Sequence, residues 1–106
     1  MGVFDGITAF DWDEGNREKI WAKHRVSNLE CEEVFFNNPL VVRPDPAHST
    51  DENRFFALGR TDGARPLFIA FTIRGDRIRV ITARDMTNRE LEVYRDRIKK
   101  GAKIQE

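Results

Sequence analysis

Residues 76–85 read DRIRVITARD, and the fold follows from how this stretch is placed. Ile78, Val80 and Ile81 supply β-branched bulk, and turn-forming Gly75-Asp76 precedes the run, so it reads as a strand. Alternation sets Ile78, Val80 and Thr82 on one face and Arg77, Arg79, Ile81 and Ala83 on the other. A merely solvated strand face would be served by lysine or threonine. The planar guanidinium fork suits phosphate and carboxylate, so Arg77, Arg79 and the exit residue Arg84 read as an anion-binding surface. Strict alternation separates Arg79 from Arg84. A shared site therefore requires a bulge, or a strand end near Thr82, and a regular strand would leave Arg84 to hold a carboxylate such as Glu90.

Working outward, Leu67 to Ile73 is apolar on both faces and reads as a central strand. It joins the arginine strand through Arg74-Gly75-Asp76 and joins a strand at Asn53–Thr61 through an Asp62-Gly63 hairpin signal. Pro39–Arg43 supplies another strand, and Asp45–Asn53 a polar loop. Thr8–Asp13 reads as a short first strand, and Asp13 caps a helix from Glu14 to about His24 with Ile20, Trp21 and His24 on one stripe. Ser27 with Glu30 forms a capping box for a second helix to about Phe36, burying Leu29, Val34 and Phe35, with Val26 stapled to Cys31. Thr87 with Glu90 opens a third, with Met86 stapled to Leu91, a buried stripe of Leu91, Tyr94 and Ile98, and Gly101 as its stop. Successive strands with short turns imply an antiparallel sheet of four to five strands, with two N-terminal helices and one C-terminal helix: α+β.

At 106 residues the chain is one domain, 1–106, with a core over about 8–100 and fraying from Lys99 onward. No apolar run approaches a membrane span and no secretory leader is evident. Gly6 stands where a myristoylation signal needs Ser or Thr, so a cytoplasmic protein is expected. The lone Cys31 fits a reducing compartment and reads as packing. A net charge of zero hides a division: residues 1–53 carry five Lys/Arg against eleven Asp/Glu, whereas 54–84 carry seven arginines against two aspartates. Those arginines either concentrate positive potential on one surface or pair with the acidic residues of 1–53.

His24 and His48 lack the closely spaced partners of a zinc site, although His48 and Glu52 share a loop with Asp45 and Asp51, and no metal or other cofactor is expected. There is no phosphate loop, serine elbow or Cys/His pair. Arginines, with an acid or base from His24, Lys23 or Tyr94, suit cleavage of RNA by its own ribose 2′-hydroxyl, where fixed cations stabilise the phosphorane. His24 beside Trp21 and Tyr94 on a helix stripe are equally readable as packing.

The phrases Phe10-Asp-Trp-Asp13, Lys23-His-Arg-Val-Ser27, Asp45-Pro-Ala-His-Ser49, Glu52-Asn-Arg-Phe55 with Gly59-Arg60, and Arg77-Ile-Arg-Val-Ile-Thr-Ala-Arg84 followed by Glu90 and Tyr94 resemble the BrnT family. The resemblance spans residues 8–95 and departs at Arg25, where the family phrase continues with glycine. It implies a RelE-like fold, a metal-independent endoribonuclease toxin, and neutralisation by a BrnA-like ribbon-helix-helix antitoxin through which operator DNA is bound. In that scheme Arg60, Arg79 and Arg84 stabilise the scissile phosphate and Lys23 or His24 assists proton transfer. Arg54, Arg77 and Tyr94 hold the RNA. A rival expectation is a non-catalytic module, or an inactivated toxin, that only docks its partner.

Overall fold

The computed structural model describes residues 2–100. Three helices, α1 (Glu14–His24), α2 (Asn28–Phe36) and α3 (Asn88–Lys99), accompany five strands: β1 (Ala9–Phe10), β2 (Val41–Pro44), β3 (Arg54–Arg60), β4 (Pro66–Arg74) and β5 (Arg77–Asp85). All three helices open with a reciprocal capping box: Asp13 with Asn16, Ser27 with Glu30, and Thr87 with Glu90. Each box satisfies two of the donors that a helix start leaves orphaned. The stop expected at Gly101 lies outside the described residues.

The strands lie in the order β1-β5-β4-β3-β2. β2 to β5 are antiparallel, as short connections require, but β1 pairs parallel with β5 through Ala9 and Phe10. That corrects the expectation of a purely antiparallel sheet. α1 and α2 intervene between β1 and the rest of the sheet, so β1 does not have to return as a hairpin.

Alternation divides the sheet into two differently covered faces. Ala57, Leu67, Ile69, Phe71, Ile78, Val80 and Ala83 point to the main core, which Ile20 of α1 and Cys31 and Val34 of α2 complete. Phe71 is fully buried there against the rings of Phe4, Phe35 and Phe55. Its truncation to alanine costs about 3–5 kcal/mol. The second face carries a smaller cluster, Val41, Leu58, Met86 and Tyr94, under α3. α3 lies against that face near Leu58, and Arg74 and Arg77 at its other end are exposed.

Several expected burials do not occur. Trp21 is 48% exposed and Leu29 is 61% exposed, because α1 and α2 present Asn16, Ile20, Cys31 and Val34 to the sheet instead. Ile98 is also exposed, since the second core ends at Tyr94. The hairpin after β3 is longer than an Asp-Gly pair: Thr61 N donates to Arg65 O, and the left-handed residue is Ala64, at φ 67°. Cys31 packs as expected, and burial pushes its thiol up to about 12.

Candidate functional site

The arginine strand is not regular. Val80 pairs with Phe71 and Thr82 with Ala70, leaving Ile81 as an extra residue in β5. This bulge reverses the alternation, so Arg79 opposite Thr72 and Arg84 opposite Phe68 share one face. Asn16 Nδ2 donates to Val80 O beside the bulge at 3.0 Å, which ties the start of α1 to the irregular backbone. β3 adds to the same face, with Arg54 opposite Thr72, Phe56 opposite Ala70 and Leu58 opposite Phe68. Arg54, Thr72 and Arg79 therefore form a row across three strands. Arg74 and Arg77, paired with each other, form the next row outward. Arg84 lies about 13 Å further along the strand direction from the first row.

Most of these guanidinium groups have carboxylate partners. Arg79, whose side chain is 19% exposed, donates to Asp13 at 2.9 Å and lies 3.4 Å from Asp11. The Asn16 backbone N–H, followed by Arg79, holds the Asp13 carboxyl below its ordinary value. Arg74 makes two 3.2 Å bonds to Glu52, the main cause of that carboxyl's lowered pKa. Arg77 stands only loosely by Asp76, at 3.9 Å. Arg54 is half-buried in a cleft of about 470 Å³ with Glu52, Arg74, Arg79 and Lys19. Pairing with the acidic first half of the chain is thus real for Arg79 and Arg74.

Arg84 is held on three sides. Nη1 and Nη2 donate to Glu90 at 2.8 and 3.0 Å, Nη1 also donates to Asp85 O at 3.1 Å, and the guanidinium lies 4.1 Å over the Phe68 ring. Burial raises the Glu90 pKa, but bonds from Arg84 and Thr87 outweigh it and leave the net shift downward. Both sequence alternatives hold at once: the bulge is present, and Arg84 also pairs with Glu90. Phe68 stacks on Phe56 with centroids 5.7 Å apart and planes at 20°. These rings floor a cleft of about 420 Å³ shared with Asp45, Arg84, Arg89 and Glu90.

The remaining expected residues do not join this group. Arg60 lies at the far end of β3 and donates to Asn38 O at 3.1 Å. Tyr94 is buried, its hydroxyl donates to Pro39 O at 2.7 Å, and burial raises its pKa. Lys23 is exposed at the end of α1, and His24 is half-buried there. Arg65 takes the His24 and Arg25 carbonyls together with Glu30 and Asp85, an assembly that ties helix ends to strand ends. Sequence reading missed the Phe56–Phe68 stack and the hydrogen bond from His48 Nδ1 to Asp45, 2.9 Å. The sequence signal pointed elsewhere: a two-residue Asp62-Gly63 turn would set Phe56 opposite Ile69, and only the longer turn sets it opposite Ala70, diagonal to Phe68. Among the described residues, no three His, Cys, Asp or Glu side chains are grouped to hold a metal ion.

The family model described as the ribonuclease toxin BrnT of type II toxin–antitoxin systems matches residues 12–90. The chain belongs to the BrnT family. Membership implies an RNA target and an antitoxin partner. The fold is similar to the 1.1 Å crystal structure of the Brucella abortus ribonuclease toxin BrnT, with a TM-score of 0.54 and 21% identity over 76% of this chain and 99% of that one. No curated protein sequence matches the chain. The BrnT-family match covers the capping box of α3 and every strand except β1, so it contains both arginine rows and the lining of both clefts apart from Val93. No described helix is long and apolar enough to cross a membrane.

Proposed function

We propose that this BrnT-family chain is a metal-independent endoribonuclease that cuts RNA on the open sheet face, arrests translation, and acts in the cytoplasm until an antitoxin covers it. The observation that carries this reading is the bulge at Ile81, which turns Arg79 and Arg84 to the face that also bears Arg54 and the Phe56–Phe68 stack. A single RNA strand needs such a pair of features: cations along its backbone and flat surfaces for its bases. Arg54 and Arg79 hold the scissile phosphate, and Arg74 and Arg77 guide the backbone. Arg84, already saturated by Glu90, offers a flattened guanidinium on which a base stacks. The ribose 2′-oxygen attacks the adjacent phosphorus, and the guanidinium groups stabilise the charge of the phosphorane without supplying protons themselves. Displacement of Asp11 and Asp13 from Arg79 by a phosphate accompanies binding.

The antitoxin is a BrnA-like ribbon-helix-helix protein, and operator DNA is contacted through it alone. Purified chain, freed of any partner, is expected to cut RNA in the presence of chelator and to leave 2′,3′-cyclic phosphate ends. Arg79→Ala is expected to lower the rate about 10²–10³-fold while remaining folded. A second reading, a module that only docks its partner, draws on the carboxylates already paired with Arg74, Arg79 and Arg84. Intact RNA after incubation with folded wild-type protein, with or without ribosomes, would establish it instead.

A further inference from the structure

We propose that His48, held by Asp45, is the proton-transfer group of the RNA-cleaving face. The proposal rests on the ribonuclease reading above and adds a residue to it. Asp45 lines the cleft floored by Phe56 and Phe68, and its Oδ2 lies 2.9 Å from His48 Nδ1. A carboxylate only accepts, so Nδ1 carries the hydrogen, and in the neutral imidazole the lone pair is on Nε2. The His48 side chain is 67% exposed, and among the described residues Nε2 has no hydrogen bond. An imidazole oriented through one nitrogen and open at the other is the arrangement a general base requires.

The segment that carries this pair is anchored to the arginine row. Asp45 N donates to Arg54 O at 2.8 Å, Ser49 Oγ donates to Asp45 O at 2.7 Å, and Arg54 N donates to Ser49 Oγ at 2.9 Å. These bonds fasten both ends of the short 3-10 turn at Pro46–His48 to the first residue of β3. Arg54 thus brings a phosphate-binding group and a base together by its two ends. The other histidine has no such setting: His24 is half-buried, and the neighbouring Asp85 carboxylate is taken by Arg65 at 2.7 Å.

In the step proposed, His48 Nε2 removes the proton from a ribose 2′-hydroxyl. The 2′-oxygen forms a bond to the adjacent phosphorus, the bond from phosphorus to the 5′-oxygen breaks, and water protonates the departing oxygen. The imidazolium then returns its proton to solvent. Products are a 2′,3′-cyclic phosphate and a 5′-hydroxyl, with no net consumption of water. Asp45 acts as a positioning residue. The other charged groups that share its cleft are Arg84 on β5 and Arg89 and Glu90 on α3.

The test uses the full chain, freed of any partner, acting on a single-stranded RNA in chelator. His48→Ala and His48→Gln are expected to lower kcat about 10²–10⁴-fold. Affinity for an uncleavable RNA carrying 2′-deoxyriboses should not change, and added imidazole should restore cutting to His48→Ala. The acidic limb of the wild-type pH–rate profile should vanish in both variants. Asp45→Asn, whose amide no longer fixes the tautomer, should lower kcat at unchanged KM. Undiminished cutting by a folded His48→Ala, with the wild-type profile, would overturn the proposal and leave the ribonuclease reading standing. No cutting by wild type would overturn both.

Discussion

At the scale of single residues, two backbone positions among the described residues set side chain and conformation at odds. Ala64 occupies the left-handed region at φ 67°, where a Cβ crowds the following carbonyl. Ala64→Gly is expected to raise stability by about 0.5–1 kcal/mol, read as a higher urea midpoint at unchanged slope. Arg25, at φ 54°, ends α1 in the same conformation where the family phrase has glycine, and its guanidinium lies 5.4 Å from the centroid of the Trp21 ring. Gly59 is the opposite case. A Cβ there would stand 2.7 Å from Val34 Cγ1 and 3.3 Å from Leu40 Cδ1, where α2 closes on β3. Gly59→Ala is expected to destabilise by about 1–3 kcal/mol, seen as a lower melting temperature. No feature of the local sequence marks Gly59 as this contact point, since Val34 and Leu40 are distant along the chain.

At the scale of elements, the bounds of α1 and α2 were legible, their ends at His24 and Phe36 included, but what holds a helix end was not. Ser27 with Glu30 and Thr87 with Glu90 sit three residues apart, so a linear reading finds them. The end of α1 is instead held by Arg65, which reaches the carbonyls of His24 and Arg25 from the start of β4. Arg65→Ala removes these bonds together with those to Glu30 and Asp85. It is expected to cost about 1–3 kcal/mol in a chemical denaturation experiment. Strand elements behave the same way. Asp62-Gly63 does not announce the longer turn that sets Phe56 diagonal to Phe68, and nothing between Arg77 and Asp85 announces that Ile81 is extra. If the stacked rings receive bases, Phe56→Ala weakens RNA binding by about 1–3 kcal/mol, measured with a fluorescent oligonucleotide.

At the scale of the whole molecule, charge that cancels in sum is organised in space. Asp13 (held down chiefly by Asn16), Glu52 (by Arg74), Asp85 (by Arg65) and Glu90 all have carboxyl groups below their ordinary values of 3.8 for aspartate and 4.5 for glutamate. Each binds a proton more weakly in the folded chain than in the unfolded one. Their contribution to stability is therefore complete above about pH 5 and declines as pH falls through 4.5 and further below 3.8. Melting temperatures taken at successive pH values should be flat above that window and fall within it, and Glu90→Gln should flatten part of the fall. The same counter-charges set the salt response: removing Arg54 should lower the slope of log affinity for single-stranded RNA against log salt by about 0.7.

The sequence alone determined the α+β class, the three helix starts, the order of the hairpin strands and the presence of an arginine-rich face. Those features depend on residues within a few positions of one another. Tertiary structure decided the rest: the parallel seat of β1, the outward turn of Trp21 and Leu29, the bulge that aligns Arg79 with Arg84, and the carboxylates that answer those two arginines. Such outcomes are fixed by which distant segments pack against each other. A guanidinium pairs with whatever acceptor the fold brings within reach, and spacing along the chain does not encode that distance.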